Sequence, residues 1–255
     1  MSQFDLYAAY YDLLYRDKDY AAEAHYVDGL VKRAQPTASS LLEMGCGTGG
    51  HAVELARLGY TVHGVDLSPG MVERAQQRSA AGAAFRSQLS FEQGDVRSVR
   101  AGRSFDAVIS LFHVISYQTT NADLAAVVAT ARAHLKPGGV FVFDCWYGAA
   151  VLSDRPRQVE KHVADEYIEV VRRTRPEMHV NIDCVDVHFD IAIASRVSSD
   201  RRELRETHRM RYLFLPEIEH LLGESGFAQV EAERWMTGQP LDDTAWYACI
   251  RARAV

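Results

Sequence analysis

The chain has 255 residues, with 28 Lys+Arg against 34 Asp+Glu, a formal charge of −6 at pH 7. That length suits one large domain or two small ones, and 47% hydrophobic with 24% charged residues excludes a disordered or collagen-like chain. The mild negative balance argues against a nucleic-acid binder that works through bulk charge. No apolar run approaches the ~20 residues of a membrane helix; the longest, Ala107 to Ile115, is strand-sized and contains His113. The N-terminal residues lack a basic start followed by an apolar stretch, so no secretory signal is expected. Cys46, Cys145, Cys184 and Cys249 are far apart with no CxxC pair, which points to reduced thiols in the cytoplasm and to no metal site.

From residue 39 to 145 short apolar runs alternate with helical periodicity. Ser39–Met44 reads as a strand, and Thr48–Leu58 as a helix stopped by Gly59. Tyr60–Asp66 is a second strand, followed by a helix with Ser68 as N-cap and Pro69 in its first turn. Leu89–Gln93 and Phe105–Leu111 are the third and fourth strands. Thr120 to Asp123 reads as a capping box, opening a helix that the Lys136–Gly139 run (Lys-Pro-Gly-Gly) stops before a fifth strand, Val140–Asp144. This alternation predicts βαβ units and a parallel sheet covered on both faces.

Residues 146–214 follow another rule. Val185, Val187, Phe189, Ile191 and Ile193 have period two, as in a long strand with one wet face, and Tyr167–Arg173 and Glu203–Phe214 would pair with it. The segment reads as an antiparallel cap resting on the parallel core. Residues 215–255 return to a helix (Ile218, Leu221, Leu222) closed by Gly226, then two strands that finish the sheet. The fold class expected is α/β: a seven-stranded, mainly parallel, doubly wound Rossmann-like sheet with an antiparallel β insertion as cap. One domain spans 1–255; the family resemblance carried by the motifs below implies that residues 1–30 are an N-terminal helical lid and 39–145 the cofactor-binding core.

The sharpest chemical signal is the run from Glu43 through Met44, Gly45, Cys46, Gly47, Thr48, Gly49 and Gly50, an apolar strand entering a glycine-rich turn that opens a helix. Alone it also satisfies the GxGxxG pattern of a dinucleotide site. Three carboxylates gather around it: Glu43, Asp66 ending the second strand, and Asp95 ending the third. They would repel a pyrophosphate, but suit a ligand with a ribose, an ammonium and a sulfonium, which is S-adenosylmethionine.

Five segments in order (Glu43–Gly49, Val65–Met71, Gly94–Val96, Phe105–Val108 and Leu135–Gly139) resemble the class I S-adenosylmethionine-dependent methyltransferases. The resemblance implies that the Gly45–Cys46–Gly47 turn packs near the methionine moiety. It also implies that Asp66 with Leu67 holds the ribose, that Asp95, Val96 and Met71 frame the adenine, and that Leu111 forms the floor. The Cys46 thiol takes no part. A narrower resemblance, carried by Tyr11–Tyr15, Lys18–Ala24, Leu111–Tyr117 and Phe143–Tyr147, is to small bacterial methyltransferases that N-methylate nucleotide-linked deoxyaminosugars. It implies Tyr15 and Tyr20 as lid residues, Tyr20 near the cofactor carboxylate. It implies an acceptor pocket lined by Tyr15, His113, Tyr117, Asp144, Trp146 and Tyr147.

The expected chemistry is in-line displacement on the sulfonium methyl, helped mostly by alignment. An amine acceptor need only be neutral and aimed, with Asp144 orienting its N–H. A hydroxyl acceptor gains from a base, and His113 is the candidate. The catalytic set is therefore His113, Asp144 and Tyr15, with His113 alternatively a plain strand-end cap. Arg205, Arg209 and Arg211 share one strand face and could meet a diphosphate, although a solvated face or dimer salt bridges account for them better. His51 and His208 have no motif context and receive no role. The partners expected are a small polar acceptor, no nucleic acid, no membrane, and a second copy of the chain through the cap. Alternatives are an O-methyltransferase of another small acceptor, a nicotinamide-dependent oxidoreductase and a non-catalytic cofactor-binding subunit.

Overall fold

The structure is a computed structural model and describes residues 10–82 and 85–255. Six tyrosines stand between residues 7 and 26 of the sequence, and the first, Tyr7, lies outside the described residues. After a helical segment at 10–14, the order is α1 (Tyr20–Ala34), β1 (Ser40–Met44), α2 (Gly50–Arg57), β2 (Thr61–Asp66), α3 (Pro69–Ala81), β3 (Leu89–Gln93) and β4 (Phe105–Ser110). There follow α4 (Asn121–Ala133), β5 (Leu135–Tyr147), α5 (Gly148–Ser153), β6 (Val159–Ala164), β7 (Ile168–His179), β8 (Cys184–Ser195) and β9 (Arg201–Leu213). The chain ends with α6 (Leu215–Glu224), β10 (Phe227–Arg234) and β11 (Tyr247–Ala254).

β3, β2, β1, β4 and β5 pair in parallel, and β11 adds antiparallel to β5 with β10 outside it. Alternate residues of the central strands bury on opposite faces. Leu42, Met44, Val108, Phe141 and Phe143 pack toward α4 and α6, while Leu41, Val62, Ile109 and Val140 pack toward α1 and α2. A sheet covered on both sides needs apolar residues at every position, which is why these strands read as unbroken hydrophobic runs. α1 buries Ala24, Val27, Leu30 and Val31 in the second of these layers.

Two expectations need correcting. First, the sheet does not stop at seven strands. The last two residues of β5, Trp146 and Tyr147, pair in parallel with Tyr212 and Leu213, so the antiparallel ribbon β9-β8-β7-β6 joins the same eleven-stranded sheet. Only the core is mainly parallel. The edge strand β6 escaped the sequence reading because only one of its six residues is buried and it shows no apolar alternation. Second, the Lys136–Gly139 run does not separate helix from strand. It lies inside β5 as a bulge, because Phe105 pairs with Leu135 while Ala107 pairs with Val140. Pro137 has no N–H for the ladder and Gly138 has φ of 73°, so the run bulges rather than pairs.

Candidate active site

A cavity of about 460 Å³ opens at the carboxyl ends of β1, β2 and β4 and is walled on its far side by β8 and β9. Gly45, Cys46, Gly47, Asp66, Leu67, Met71, Asp95, Val96 and Leu111 all line it. Gly45 has φ of 80°, and a Cβ there would lie 2.5 Å from Val114 Cγ2, so the turn needs glycine for backbone shape and for close approach. Gly47 (φ of 53°) differs: a Cβ there meets nothing within 4 Å. Four of the turn's amides are already engaged. Gly45 and Cys46 N–H both donate to Val65 O, Gly49 N–H to Cys46 O, and Gly47 N–H to Asp66 Oδ2 at 2.8 Å. A pyrophosphate binds such a turn through those amides, and here they are not presented to it.

Asp66 also accepts the Ser68 N–H at 2.9 Å; burial pushes its carboxyl above the usual range, against the pull of these backbone donors. Asp95 is held by Arg97 through both carboxylate oxygens, at 2.7–3.1 Å, which lowers its pKa. Burial, and then the charges of Glu43 and Asp66, push the Cys46 thiol well up, so it stays protonated.

Beneath the turn is a buried ionic cluster. His51 Nε2 lies 2.7 Å from Glu23 Oε2, its Nδ1 lies 3.6 Å from Glu43 Oε1, and Glu23 pairs with Lys18. Burial alone would lower the His51 pKa, but the two carboxylates outweigh it and raise it; burial raises Glu43. The Lys18 ammonium stands 4.3 Å from the Phe112 ring centroid and 5.4 Å from that of Tyr20. Tyr20 packs edge-on to His51 at 4.8 Å, and burial raises its phenol to about 12. Tyr15 lies against Phe112 at 5.1 Å, and its hydroxyl accepts from Arg172 at 3.3 Å. Tyr15 and Tyr20 both line the cavity.

His113 enters the cavity from a turn in which Phe112 and His113 both have φ of 64°. Left-handed backbone costs a non-glycine residue of order 1–2 kcal/mol, so something must hold it. Asp144 does, since both its oxygens accept the His113 backbone N–H at 3.2 Å; Oδ2 also lies 2.5 Å from His113 Nδ1, a close contact without a hydrogen bond. The imidazole stacks on Tyr247 at 4.4 Å. With Nδ1 turned to the carboxylate, Nε2 is the nitrogen left for a ligand.

Residues 41–139 match a family described as "Methyltransferase domain". Over 188 residues the chain is 36% identical to the dTDP-3-amino-3,4,6-trideoxy-alpha-D-glucopyranose N,N-dimethyltransferase of Streptomyces venezuelae, covering 73% of this chain and 76% of that protein. It superposes on the sugar N-methyltransferase KedS8 from Streptoalloteichus with a TM-score of 0.80 at 28% identity, covering 96% of this chain and 92% of that one. The amino pentose methyltransferase CalS10 from Micromonospora echinaspora, solved with S-adenosylmethionine bound, gives 0.73 at 26% identity, covering 98% and 97%. The chain belongs to the S-adenosylmethionine-dependent methyltransferases.

The residues of this methyltransferase fit that cofactor. The engaged amides and surrounding carboxylates disfavour phosphates, and the open space beside Gly47 leaves room for a ligand against the turn. Asp66 would hold the ribose, Asp95, Val96 and Met71 the adenine, and the Gly45–Gly47 turn with Tyr20 the methionine end. When bound, S-adenosylmethionine supplies an electrophilic methyl on a sulfonium.

On the acceptor side, Tyr117 and Trp146 line the cavity with His113, but Asp144 and Tyr147 do not. Asp144 is 1% exposed, because its place in β5, three residues before the strand's end, is roofed by the His113 turn. It holds the His113 backbone and does not line the cavity. Tyr147 pairs with Leu213, caps α5 and packs on the core. The arginines separate as well. Arg209 and Arg205 face Asp186 and Asp190 on the outer cap face, and Arg211 is buried between Asn121 and Glu217.

Several lining residues had no signal strong enough to single them out. His51 follows the glycine run by one residue, and its role needs Glu23 from α1. Phe189, His208 and Met210 come from β8 and β9. Their period-two spacing with Glu206 was readable, but not that this face looks into the cavity.

Proposed function

We propose that the acceptor is the amine of a nucleotide-linked deoxyaminosugar, N-methylated with His113 as proton acceptor. The observation that supports this reading is the close contact of the buried Asp144 with His113 Nδ1, which leaves Nε2 as the ring nitrogen for the cavity. A sugar amine is largely ammonium at neutral pH and must lose a proton before its lone pair can attack; Nε2 takes that proton. The amine nitrogen then takes the methyl as the C–S bond breaks toward sulfur, leaving S-adenosylhomocysteine. Aromatic walls from Tyr15, Phe112 and Trp146 exclude water and align the pair. The names of the full-length relatives support the sugar acceptor.

The test is mass spectrometry of a dTDP-3-amino-deoxyglucose incubated with the protein and S-adenosylmethionine, beside the 3-hydroxy counterpart. One or two added methyl groups on the amine only are expected. Methylation of the hydroxyl sugar with none on the amine would overturn the reading in favour of O-methylation, for which the same His113–Asp144 pair would act as base. The reading includes work in a reducing compartment, the cytoplasm, supported by four buried free thiols. It also includes pairing of two copies through the cap, supported by the edge position of β6 and the exposed Val159 and Tyr167. Light scattering at twice the monomer mass checks the pairing.

A further inference from the structure

A hydrogen-bonded chain runs from the N-terminal segment through the cap to the acceptor side of the cavity, and none of its inner members belongs to the set above. The Tyr10 hydroxyl donates to Glu206 Oε1 at 3.0 Å, Glu206 Oε2 lies 3.3 Å from His208 Nε2, and His208 Nδ1 lies 2.7 Å from the Tyr117 hydroxyl. Glu206 and His208 are 5% and 8% exposed, two positions apart on the inward face of β9. Phe189 stands edge-on to the His208 ring at 5.0 Å and limits its rotation.

The chemistry of the groups gives this chain a direction. A carboxylate only accepts, so Glu206 takes the Tyr10 O–H and the His208 Nε2–H. That tautomer leaves Nδ1 with a lone pair, so the Tyr117 O–H must donate to it. The Tyr117 oxygen then has only lone pairs to offer the cavity. We infer that the Glu206–His208 pair fixes Tyr117 as a pure hydrogen-bond acceptor toward the substrate, and so makes it a determinant of amine specificity.

This inference rests on the amine reading above. His113 Nε2 and Tyr117 Oη are then two acceptors lining one cavity. The ammonium can give one N–H to each; once Nε2 has taken its proton, the amine keeps an N–H on Tyr117 Oη and has a lone pair for the methyl. A hydroxyl has a single hydrogen and can satisfy only one of them. Tyr117 touches the acceptor, whereas Glu206 and His208 are positioning residues.

Two measurements on the full chain test this. The first needs no substrate. Nitrogen-15 NMR of labelled histidine, with the His208 signals assigned by loss in His208→Asn, should show Nε2 protonated and Nδ1 bare. In Glu206→Gln the new amide can donate to Nε2, so the proton should move to Nδ1, while the bond from Tyr10 is kept. Nδ1–H in the wild type, or no change in Glu206→Gln, would overturn the inference.

The second is kinetic. Tyr117→Phe and Glu206→Gln should each raise KM for the amine acceptor at least tenfold, with unchanged affinity for S-adenosylhomocysteine. The double variant should be no worse than either single one, since both remove the same acceptor. His208→Asn, which keeps an acceptor at the δ position, should restore most of the loss seen in His208→Ala. Wild-type KM in Tyr117→Phe or Glu206→Gln refutes the specificity role. If the wild type does not methylate the amine at all, the functional reading fails and the specificity role with it, while the NMR result still decides the tautomer.

Discussion

The two ends of the cavity are built differently. At the cofactor end the shape is made by backbone: glycines at positive φ, amides closed on Val65, Cys46 and Asp66, and carboxylates at consecutive strand ends. At the acceptor end it is made by side chains from distant elements, with His113 propped by Asp144 of β5 and Tyr117 by His208 of β9. A backbone-built site suits a ligand common to many enzymes, while a side-chain wall can be altered residue by residue for a new acceptor. The contrast predicts that substitutions at the first end cost cofactor affinity and fold, and those on the cap's outer face cost little.

Gly45→Val should have the largest effect. The added side chain meets Val114 and sits on backbone at φ of 80°, so S-adenosylhomocysteine affinity should fall more than about 100-fold, read by calorimetry. Near-normal binding would show that the turn can relax, and the contrast would be lost.

His51→Gln comes next. It leaves Glu43 and Glu23 without their shared cation and should lower stability by about 3 kcal/mol, or roughly 6–12 °C in Tm. Because the carboxylates raise the His51 pKa, its stabilising contribution is complete below the ordinary value of 6.5 and is lost as pH rises through the raised one. The wild-type Tm should therefore fall over that alkaline interval more steeply than that of His51→Gln. Parallel curves would remove His51 as a charged strut.

Asp66→Ala removes the anchor of the Gly47 and Ser68 amides and, with it, the proposed ribose contact. S-adenosylhomocysteine affinity should weaken by about 1.5–3 kcal/mol, with kcat at saturation affected less.

Arg209→Ala should have the smallest effect, leaving turnover unchanged and lowering Tm only slightly at pH 7. Arg209 holds the Asp186 carboxyl down to about 2. That contribution is present above the ordinary 3.8 and fades as pH falls toward 2, so the small difference from wild type should vanish in acid. A fall in acceptor affinity would mean that the outer cap face takes part in recognition.

The backbone-built end was legible in the sequence for the same reason that it is robust. Strand, glycine turn and terminal carboxylate are neighbours in the chain, so Gly45, Gly47, Asp66 and Asp95 were found with their surroundings. Asp144 was placed on the correct strand, which runs three residues further than expected, but its neighbour, the His113 turn, was missed, because a carboxylate that faces a ligand and one that faces a histidine turn have the same sequence context. Tyr147 was misplaced by one step of alternation: Trp146 points into the cavity, and its neighbour points to the core. β6 was lost because a solvated edge strand has no apolar period to read.

By itself the sequence determined the parallel core, the antiparallel ribbon after it and the class of ligand that the first turn admits, since each depends on periodicity, glycine and charge within a few residues. Only the tertiary structure decided that the ribbon joins the core sheet through Trp146 and Tyr147, and that Asp144 serves His113. It also decided that Glu206 and His208 reach Tyr117 and that His51 lies between two acids. Those contacts link residues 28 to 91 positions apart, or stand at the end of a β9 pairing that closes only when the cap folds back. A side chain's partner is set by where its strand lands, and local chemistry carries no record of that.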